Sequence, residues 1–267
     1  AINMAGIITT PLDQDFHLEV AKGNVYGHRS INKFGRNIDI DNNAVADIWD
    51  GGHSGDESLI WVAPTQARPH TIASDSGSDT SGGVGLRTLR VYGLTSWTSK
   101  EVTEDVTMDT GSPPVTTFSY VIIYRMHGLT WGATNVNVGT VTATAVTDGT
   151  VTAKIRPSMG QTQMAIFGIP STQTAYVGRP YANVNKAGGA TGEVDVSLLY
   201  NPIPETQLTN FLTRHTFGLL TAGTSAFLIP YWVPKVFEGP GILKIQVTSG
   251  KDNMDVSAGF DFMLVDN

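Results

Sequence analysis

The sequence predicts an all-β protein, with two β-sandwich blocks of jelly-roll type and an N-terminal arm. Apolar and polar residues alternate with a period of two along much of the chain, which is the pattern of half-buried strands. Clusters of Gly, Asn, Asp and Ser separate these segments about every 8–12 residues, which is the spacing of sandwiches and barrels. Only 15% of the residues are charged, and 29 are Gly, a composition that favours closely packed strands over a helical enzyme.

Residues 1–35 differ from the rest of the chain. The segment IITTPL at residues 7–12 is followed by Phe16, Tyr26 and Phe34, which are spaced irregularly among Gly, Asn and His. Neither the helical nor the strand period holds here for long. We therefore predict an attachment arm with aromatic anchors. The alternative is an ordinary terminal strand in the first sheet, and both interpretations stay open.

Residues 36–157 form the predicted first block. Ile38 and Ile40 alternate with polar neighbours, and Asp148-Gly149 is a strong two-residue hairpin signal. A Ser/Asp/Gly-rich loop spans residues 73–85. The predicted strands after it are 86–94, 102–108, 118–126, 136–146 and the segment from Val151 to Ile155.

Residues 158–267 form the predicted second block. Its predicted strands are 164–169, 174–186, 194–198, 226–229, 242–247 and 256–265. The one helix candidate is 204–214, where Leu208, Phe211 and Leu212 could share a face. A segment this short is marginal as a helix.

Composition excludes several classes of protein. The chain has no Cys, so it has no disulfide, thiolate metal site or cysteine nucleophile. Its formal net charge of -7 argues against direct nucleic-acid binding. No apolar run reaches the roughly 18 residues that span a membrane, and no N-terminal targeting signal is recognisable. We expect a soluble chain that is made in the cytoplasm and does not enter a membrane.

Two Asp-Ser/Thr-Gly triplets raise the possibility of an aspartic protease. They begin at Asp75 and Asp109, and such enzymes need two carboxylates that share a proton across matching loops. The flanks of the two triplets differ, and their separation leaves no room for a half-lobe. Asp-Gly-type sequences are also common in turns. We interpret both as turns and predict that the chain is not an enzyme.

The remaining chemical signals favour no metal or cofactor. A calcium site is the alternative for the acidic run Asp39, Asp41, Asp47, Asp50, Asp56 and Glu57, but the twelve-residue calcium-loop pattern is missing. The six His residues form no zinc motif. The five Trp residues are Trp49, Trp61, Trp97, Trp131 and Trp232. They favour core or interface packing, with stacking on sugar rings as the alternative.

Several segments resemble virion proteins of tailed bacteriophages, especially marine phages. The resemblance runs over roughly residues 24–267 and is carried by RNIDID through DIWDGG (36–52), GLRTLRVYGL (85–94), GQTQMA (160–165), ANVNK (182–186) and DVSAGFDFMLVD (255–266). It implies a structural protein of the phage particle. It supplies no catalytic residues, and residues 200–214 look like an expanded loop relative to the pattern.

The resemblance and the composition together predict a capsid decoration or cement protein on the virion surface. It would form a homo-oligomer, expected to be a trimer, and clamp the major capsid protein and other virion proteins. Phe16, Tyr26, Phe34 and Trp49 are the predicted partner contacts. The alternatives are a tail or tail-adaptor protein and a carbohydrate-binding module for host recognition.

Overall fold

A computed structural model describes residues 15–52, 59–186 and 191–267 of the chain. In this part of the chain one short helix, α1 (Phe16–Ala21), precedes sixteen strands. The all-β prediction is confirmed. No helix within the described ranges has the length and apolar character needed to cross a membrane.

The strands up to the middle of the chain are β1 (His28–Ile40), β2 (Val45–Asp47), β3 (His70–Ser74), β4 (Leu86–Leu94), β5 (Val102–Thr107), β6 (Ile122–Trp131), β7 (Val141–Ala145) and β8 (Val151–Ile155). Those that follow are β9 (Ile166–Ile169), β10 (Gln173–Lys186), β11 (Glu193–Asn201), β12 (Leu212–Leu220), β13 (Ala226–Leu228), β14 (Lys235–Glu238), β15 (Gly241–Ser249) and β16 (Met254–Asp266).

Two antiparallel sheets build what we call the main sandwich. Sheet A has the order β1-β16-β10-β13, and β14 pairs with another part of β10. Sheet B has the order β12-β11-β15-β2, and β9 also pairs with β15. Aromatic rings join the two sheets, as between Phe167 and Phe262 at 4.8 Å and between Tyr200 and Phe237 at 5.1 Å.

Residues 70–155 form an inserted unit of two three-stranded sheets. Sheet C has the order β3-β7-β8, and sheet D has the order β5-β4-β6. The buried apolar residues of all four sheets belong to one connected core cluster. The inserted unit is therefore packed on the main sandwich rather than tethered to it.

A polar seam lies where the inserted unit meets sheet A. Lys33 of β1 is buried, and its Nζ donates to the backbone oxygen of Tyr124 in β6 at 2.5 Å. The Tyr124 hydroxyl donates to Glu101, which also accepts from Arg29. Burial lowers the pKa of Lys33 to about 7, with the nearby Arg125 acting in the same direction and Glu101 opposing it.

The strand pairing does not follow the predicted boundaries between the arm and the two blocks. Residues 28–35 are part of β1, which pairs with β16 from His28↔Val265 onward, so this part of the predicted arm is a sheet strand. Strand β2 pairs with β15, so residues 36–47 join strands of the predicted second block. Period-two alternation identifies a strand but carries no information on a partner two hundred residues away. Residues 1–14 of the predicted arm lie outside the described ranges.

The helix prediction for residues 204–214 is wrong. The segment begins with turns, in which the Gln207 N–H donates to the Ile203 oxygen, and Leu212 already belongs to β12. A single helical turn forms too few hydrogen bonds to offset the free-energy cost of nucleating a helix. The end of the segment instead pairs with β11 as the start of strand β12. Helix α1 was not predicted; the Asp15 side chain caps it by accepting from the His17 N–H.

Several local predictions are confirmed. The predicted strand 86–94 has the bounds of β4, and the Asp148-Gly149 turn connects β7 to β8. Gly149 has a φ of 68°, and Thr147 beside the turn has a φ of 76°. The hairpin is therefore present, but its connection is longer than the predicted two residues: the Ala145 N–H donates to the Thr150 oxygen, and Thr147 rather than Asp148 takes the positive φ beside Gly149.

Candidate assembly interface

The main sandwich is open along one edge. Strand β12 is the last strand of sheet B, and β13 and β14 form the last positions of sheet A. The chain passes from β12 to β13 through residues 221–225, so both edges lie on the same side. Phe217 of β12 and Phe227 of β13 meet there with ring centroids 5.5 Å apart.

Large apolar side chains are exposed along this edge. Trp232 is 99% exposed and Val233 is 73% exposed, although they end the apolar run 226–233 that begins with strand β13. We define the uncovered edge by its seven most exposed large apolar residues: Leu212, Leu220, Phe227, Leu228, Trp232, Val233 and Val236. Exposed large apolar side chains gathered along one sheet edge are the kind of surface that marks an interaction site in a soluble protein.

A proline-flanked strap projects Trp232 from the edge. The strap, residues 229–234, contains Pro230 and Pro234, and it follows β10 through two backbone bonds, from the Ile229 N–H to the Pro180 oxygen and from the Tyr231 N–H to the Gly178 oxygen. Proline has no N–H to donate to a ladder, so this side of sheet A is interrupted. The interruption separates β13 from β14 and leaves the Trp232 ring in solvent.

Aromatic and cationic side chains fill the opening between the two sheets. Tyr231 packs edge-on against His215 at 5.5 Å, and the Lys235 ammonium lies 5.1 Å from the Tyr231 ring centre. Burial raises the pKa of Tyr231 to about 12. Burial, together with the Lys235 charge, lowers the pKa of His215. The opening is thus lined by rings that are only partly removed from water.

One charged contact bridges the two sheet edges. Lys235 of β14 donates from Nζ to the backbone oxygen of Arg214 in β12 at 3.0 Å. The Arg214 guanidinium itself lies over the Tyr200 and Phe237 rings, at 5.8 and 5.7 Å from their centres. These two cations border the apolar residues, which is the arrangement of a protein–protein interface with an apolar centre and a polar rim.

Of the four predicted contact residues, three are exposed and one is buried. Phe16, Tyr26 and Phe34 are exposed, Tyr26 at 91%, so their role as contacts stays a prediction. Trp49 is buried at 1% exposure, so its assignment as a partner contact is wrong, because its ring packs in the core. Phe34 lies on β1, at the edge of sheet A opposite β13. The uncovered edge is therefore a separate surface that sequence reasoning missed.

A signal for the uncovered edge exists in the sequence. Residues 226–233 read AFLIPYWV, an apolar run that contains a proline. A buried strand tolerates such a run but not its proline. The run therefore indicated an edge position, although it was interpreted only as a strand at 226–229.

The tryptophans do not form a row for sugar binding. Trp49, Trp61 and Trp97 are buried, and Trp131 is partly buried against the core. Trp61 also donates from its ring nitrogen to the Thr152 oxygen at 2.8 Å. Trp232 is therefore the one fully exposed indole in the chain.

The predicted acidic candidates serve structural roles. Asp109 accepts from the N–H groups of Gly111 and Ser112, and Asp75 accepts from the Thr140 N–H at 2.8 Å. Both Asp residues thus act within loops, as the turn interpretation expects. Of the calcium candidates, Asp47 is buried in an ion pair with Lys244 at 2.6 Å. Residues Asp56 and Glu57 lie outside the described ranges.

No group of three or more His, Asp or Glu side chains is positioned to hold a metal ion within residues 15–52, 59–186 and 191–267. The positions of the acidic side chains therefore give no support to the calcium alternative in that part of the chain.

Comparisons with known proteins place the chain in no family. No protein-family model matches it, and no curated protein matches it. Among solved structures, a chain of infectious bursal virus derived T=1 particles is 10% identical, with 90% of this chain and 69% of that chain covered at a TM-score of 0.21. A likeness of that size carries no argument about fold or function.

Proposed function

We propose that the chain is a structural subunit of a bacteriophage virion that works by adhesion, as a decoration or cement protein. The observation that carries the proposal is the uncovered edge, where Trp232 is 99% exposed beside Val233. The resemblance to tailed-phage virion proteins, noted on segments such as 85–94, supports the phage assignment. The chain would be made in the bacterial cytoplasm and reside on the capsid surface.

The uncovered edge supports adhesion because its exposure is unfavourable in an isolated chain. Each fully buried large apolar side chain contributes about 1.5–3 kcal/mol relative to its exposed state. Trp is also enriched among the residues that dominate binding energy at protein interfaces. Covering Trp232, Val233 and Leu228 with protein would therefore stabilise an assembly substantially.

The chain has two separate surfaces: one suits contact between copies of the chain, and the other suits contact with the capsid shell. The uncovered edge would join copies of the chain, which are expected to form a trimer. Phe16, Tyr26 and Phe34, on the β1 side of sheet A, would contact the major capsid protein or other virion proteins. Repeated weak contacts over a lattice give a much higher total affinity than one contact alone.

A tail or tail-adaptor position is the second candidate within the virion, and the test below distinguishes it from a head position. A carbohydrate-binding role is supported by the exposed Trp232 ring, which is able to stack on a sugar. Binding to a glycan array that is lost in a Trp232→Ser variant would favour that role over adhesion.

Immunogold labelling tests the proposed function. Antibodies raised against the purified chain are applied to purified virions of the phage whose genome encodes it. We expect regular labelling of the head. Labelling confined to the tail would favour the tail candidate, and unlabelled virions would contradict the proposal.

Attachment by the β1 side is tested separately. Virions that lack the chain are incubated with the wild-type protein and with a Tyr26→Ser variant. We expect the variant to bind the particles less tightly while its mass in solution is unchanged.

A further inference from the structure

A buried lysine and a buried aspartate meet in sheet B. Lys244 of β15 and Asp47 of β2 have side chains that are 2% and 0% exposed, and the Lys244 Nζ lies 2.6 Å from Oδ2 of Asp47. Asp47 is paired across the strands with Gln246, so Lys244, two residues before Gln246, is its diagonal neighbour on the same face. Strand pairing therefore keeps the amino and carboxyl groups in contact.

The surroundings of this pair exclude water and fix the position of the carboxyl group. The Phe211 ring centre lies 4.2 Å from the Lys244 Nζ. The Trp61 N–H donates to Oδ2 of Asp47 at 2.8 Å, and the Gln246 side-chain amide donates to Oδ1 at 2.9 Å. Burial raises the pKa of the Asp47 carboxyl, although the Lys244 charge and the hydrogen bonds to the carboxyl oppose this shift. Because burying two charges has a large desolvation cost, conversion to a neutral product is favoured here.

We infer that Lys244 and Asp47 condense into an intramolecular amide, which is a covalent cross-link between β15 and β2. The ion pair is the precursor of this bond. The Lys244 ammonium loses two protons and the Asp47 carboxylate loses Oδ2, and these leave together as one water molecule. The new bond joins Nζ to Cγ, the bond from Cγ to Oδ2 breaks, and no oxidant, reductant or cofactor is consumed. The cross-link is a property of the chain itself and does not depend on the proposed function.

The hydrogen bonds around Asp47 suit each stage of this reaction. One proton passes from the Lys244 Nζ to Oδ2 across their 2.6 Å contact, which leaves a neutral amine beside a neutral carboxylic acid. As the amine attacks Cγ, negative charge develops on Oδ1, to which the Gln246 amide already donates. A donor that is fixed where charge develops stabilises such an intermediate. A second proton then moves from the nitrogen to Oδ2, which leaves as water, and Oδ1 becomes the amide oxygen.

Proximity compensates for the low reactivity of an amine toward a carboxylic acid. Intramolecular reactions between well-oriented groups reach effective concentrations of about 10⁵–10⁸ M. Exclusion of water also protects the product from hydrolysis. The cross-link joins residues 197 positions apart, so it would constrain the unfolded chain as a long-range disulfide does. It would supply this constraint in a chain that has no Cys.

Mass spectrometry of the intact, denatured chain tests the inference. We expect the wild-type mass to be lower than the mass of its sequence by one water molecule. Lys244→Arg keeps a positive charge beside Asp47, but its guanidinium stays protonated and does not condense, so this variant should have its full sequence mass. Asp47→Ala should have its full mass as well. Lys251→Met, which removes an exposed lysine, is the matched control and should still lose one water molecule.

Sequencing of proteolytic peptides from the wild type locates the bond. We expect one branched peptide that joins residue 47 to residue 244. A wild-type chain at its full sequence mass would overturn the inference, and so would a loss of water that the peptides place at any other position. A lower stability of Asp47→Ala is expected of an ion pair as well as of an amide, so the mass decides between them. Neither result changes the outcome of the virion labelling, which tests the proposed function separately.

Discussion

Phe217 and Phe227 pack against each other at the uncovered edge of the main sandwich, with ring centroids 5.5 Å apart. One ring belongs to sheet B and the other to sheet A, and Phe227 is still 43% exposed. The interior of the sandwich thus reaches the surface at this point. A partner packed on the edge would bury the same two rings that join the sheets, so assembly and folding share these contacts.

Trp232→Ser should weaken assembly without destabilising the fold. Because the ring is 99% exposed, its loss removes no packing within the chain, and substitutions at such sites change stability by about 0.5 kcal/mol or less. Light scattering should show a lower mass at equal concentration, with an unchanged urea midpoint. Tyr26→Ser, which alters a 91% exposed aromatic on the other side, is the control and should keep the wild-type mass.

Lys33→Met should stabilise the fold most at neutral and acid pH. Burial lowers the pKa of Lys33 from 10.5 to about 7, so the folded chain disfavours the charged form that the unfolded chain prefers. This cost is fully present below pH 7 and disappears as the pH rises toward 10.5. The expected increase in the free energy of unfolding of the Lys33→Met variant at pH 6 is about 2–5 kcal/mol.

Urea unfolding at pH 6, 7.5 and 9 measures this increase in stability over the wild type, which should become smaller at each higher pH. Lys251→Met, at an exposed position, is the control and should show no comparable trend. A gain that grows with pH, or a destabilised Lys33→Met variant at pH 6, would contradict the account of the seam.

Asp47→Ala should destabilise the fold by about 3–5 kcal/mol, because it leaves the buried Lys244 ammonium without its counter-charge. Asp47 accepts from Lys244 at 2.6 Å, from Gln246 at 2.9 Å and from the Trp61 N–H at 2.8 Å. Adding Lys244→Met to the Asp47→Ala variant should restore part of the lost free energy of unfolding. The free energy of unfolding of the single and double variants measures this coupling, and strictly additive losses would disprove it.

Local patterns in the sequence predict much of the fold, but not the pairing of distant strands. The pattern at Ile38 and Ile40 predicts a strand where β1 lies, although the pairing with β16 shifts register between Asn37 and Ile40. The turn at Asp148-Gly149 predicts the β7–β8 hairpin, because such signals depend on a few neighbouring residues. That β1 pairs with β16 depends on packing between opposite ends of the chain. The same limit explains Trp49, whose burial is decided by distant residues.

The candidate interface was missed for a related reason. An apolar run such as 226–233 has the same composition in a core strand as at an edge, so composition alone does not tell them apart. Pro230 and Pro234 were the local evidence for an edge. Phe16, Tyr26 and Phe34 were singled out because their spacing follows no single period, although Phe16 lies in α1 and Phe34 in β1, and their role as contacts stays a prediction.

The central claim is that the uncovered edge is buried by association, and sedimentation equilibrium of the wild-type chain tests it most directly. We expect a mass above that of one chain, rising with concentration. A single-chain mass at up to about 100 µM, where a contact with a Kd of about 1 µM would be almost fully formed, would contradict the claim.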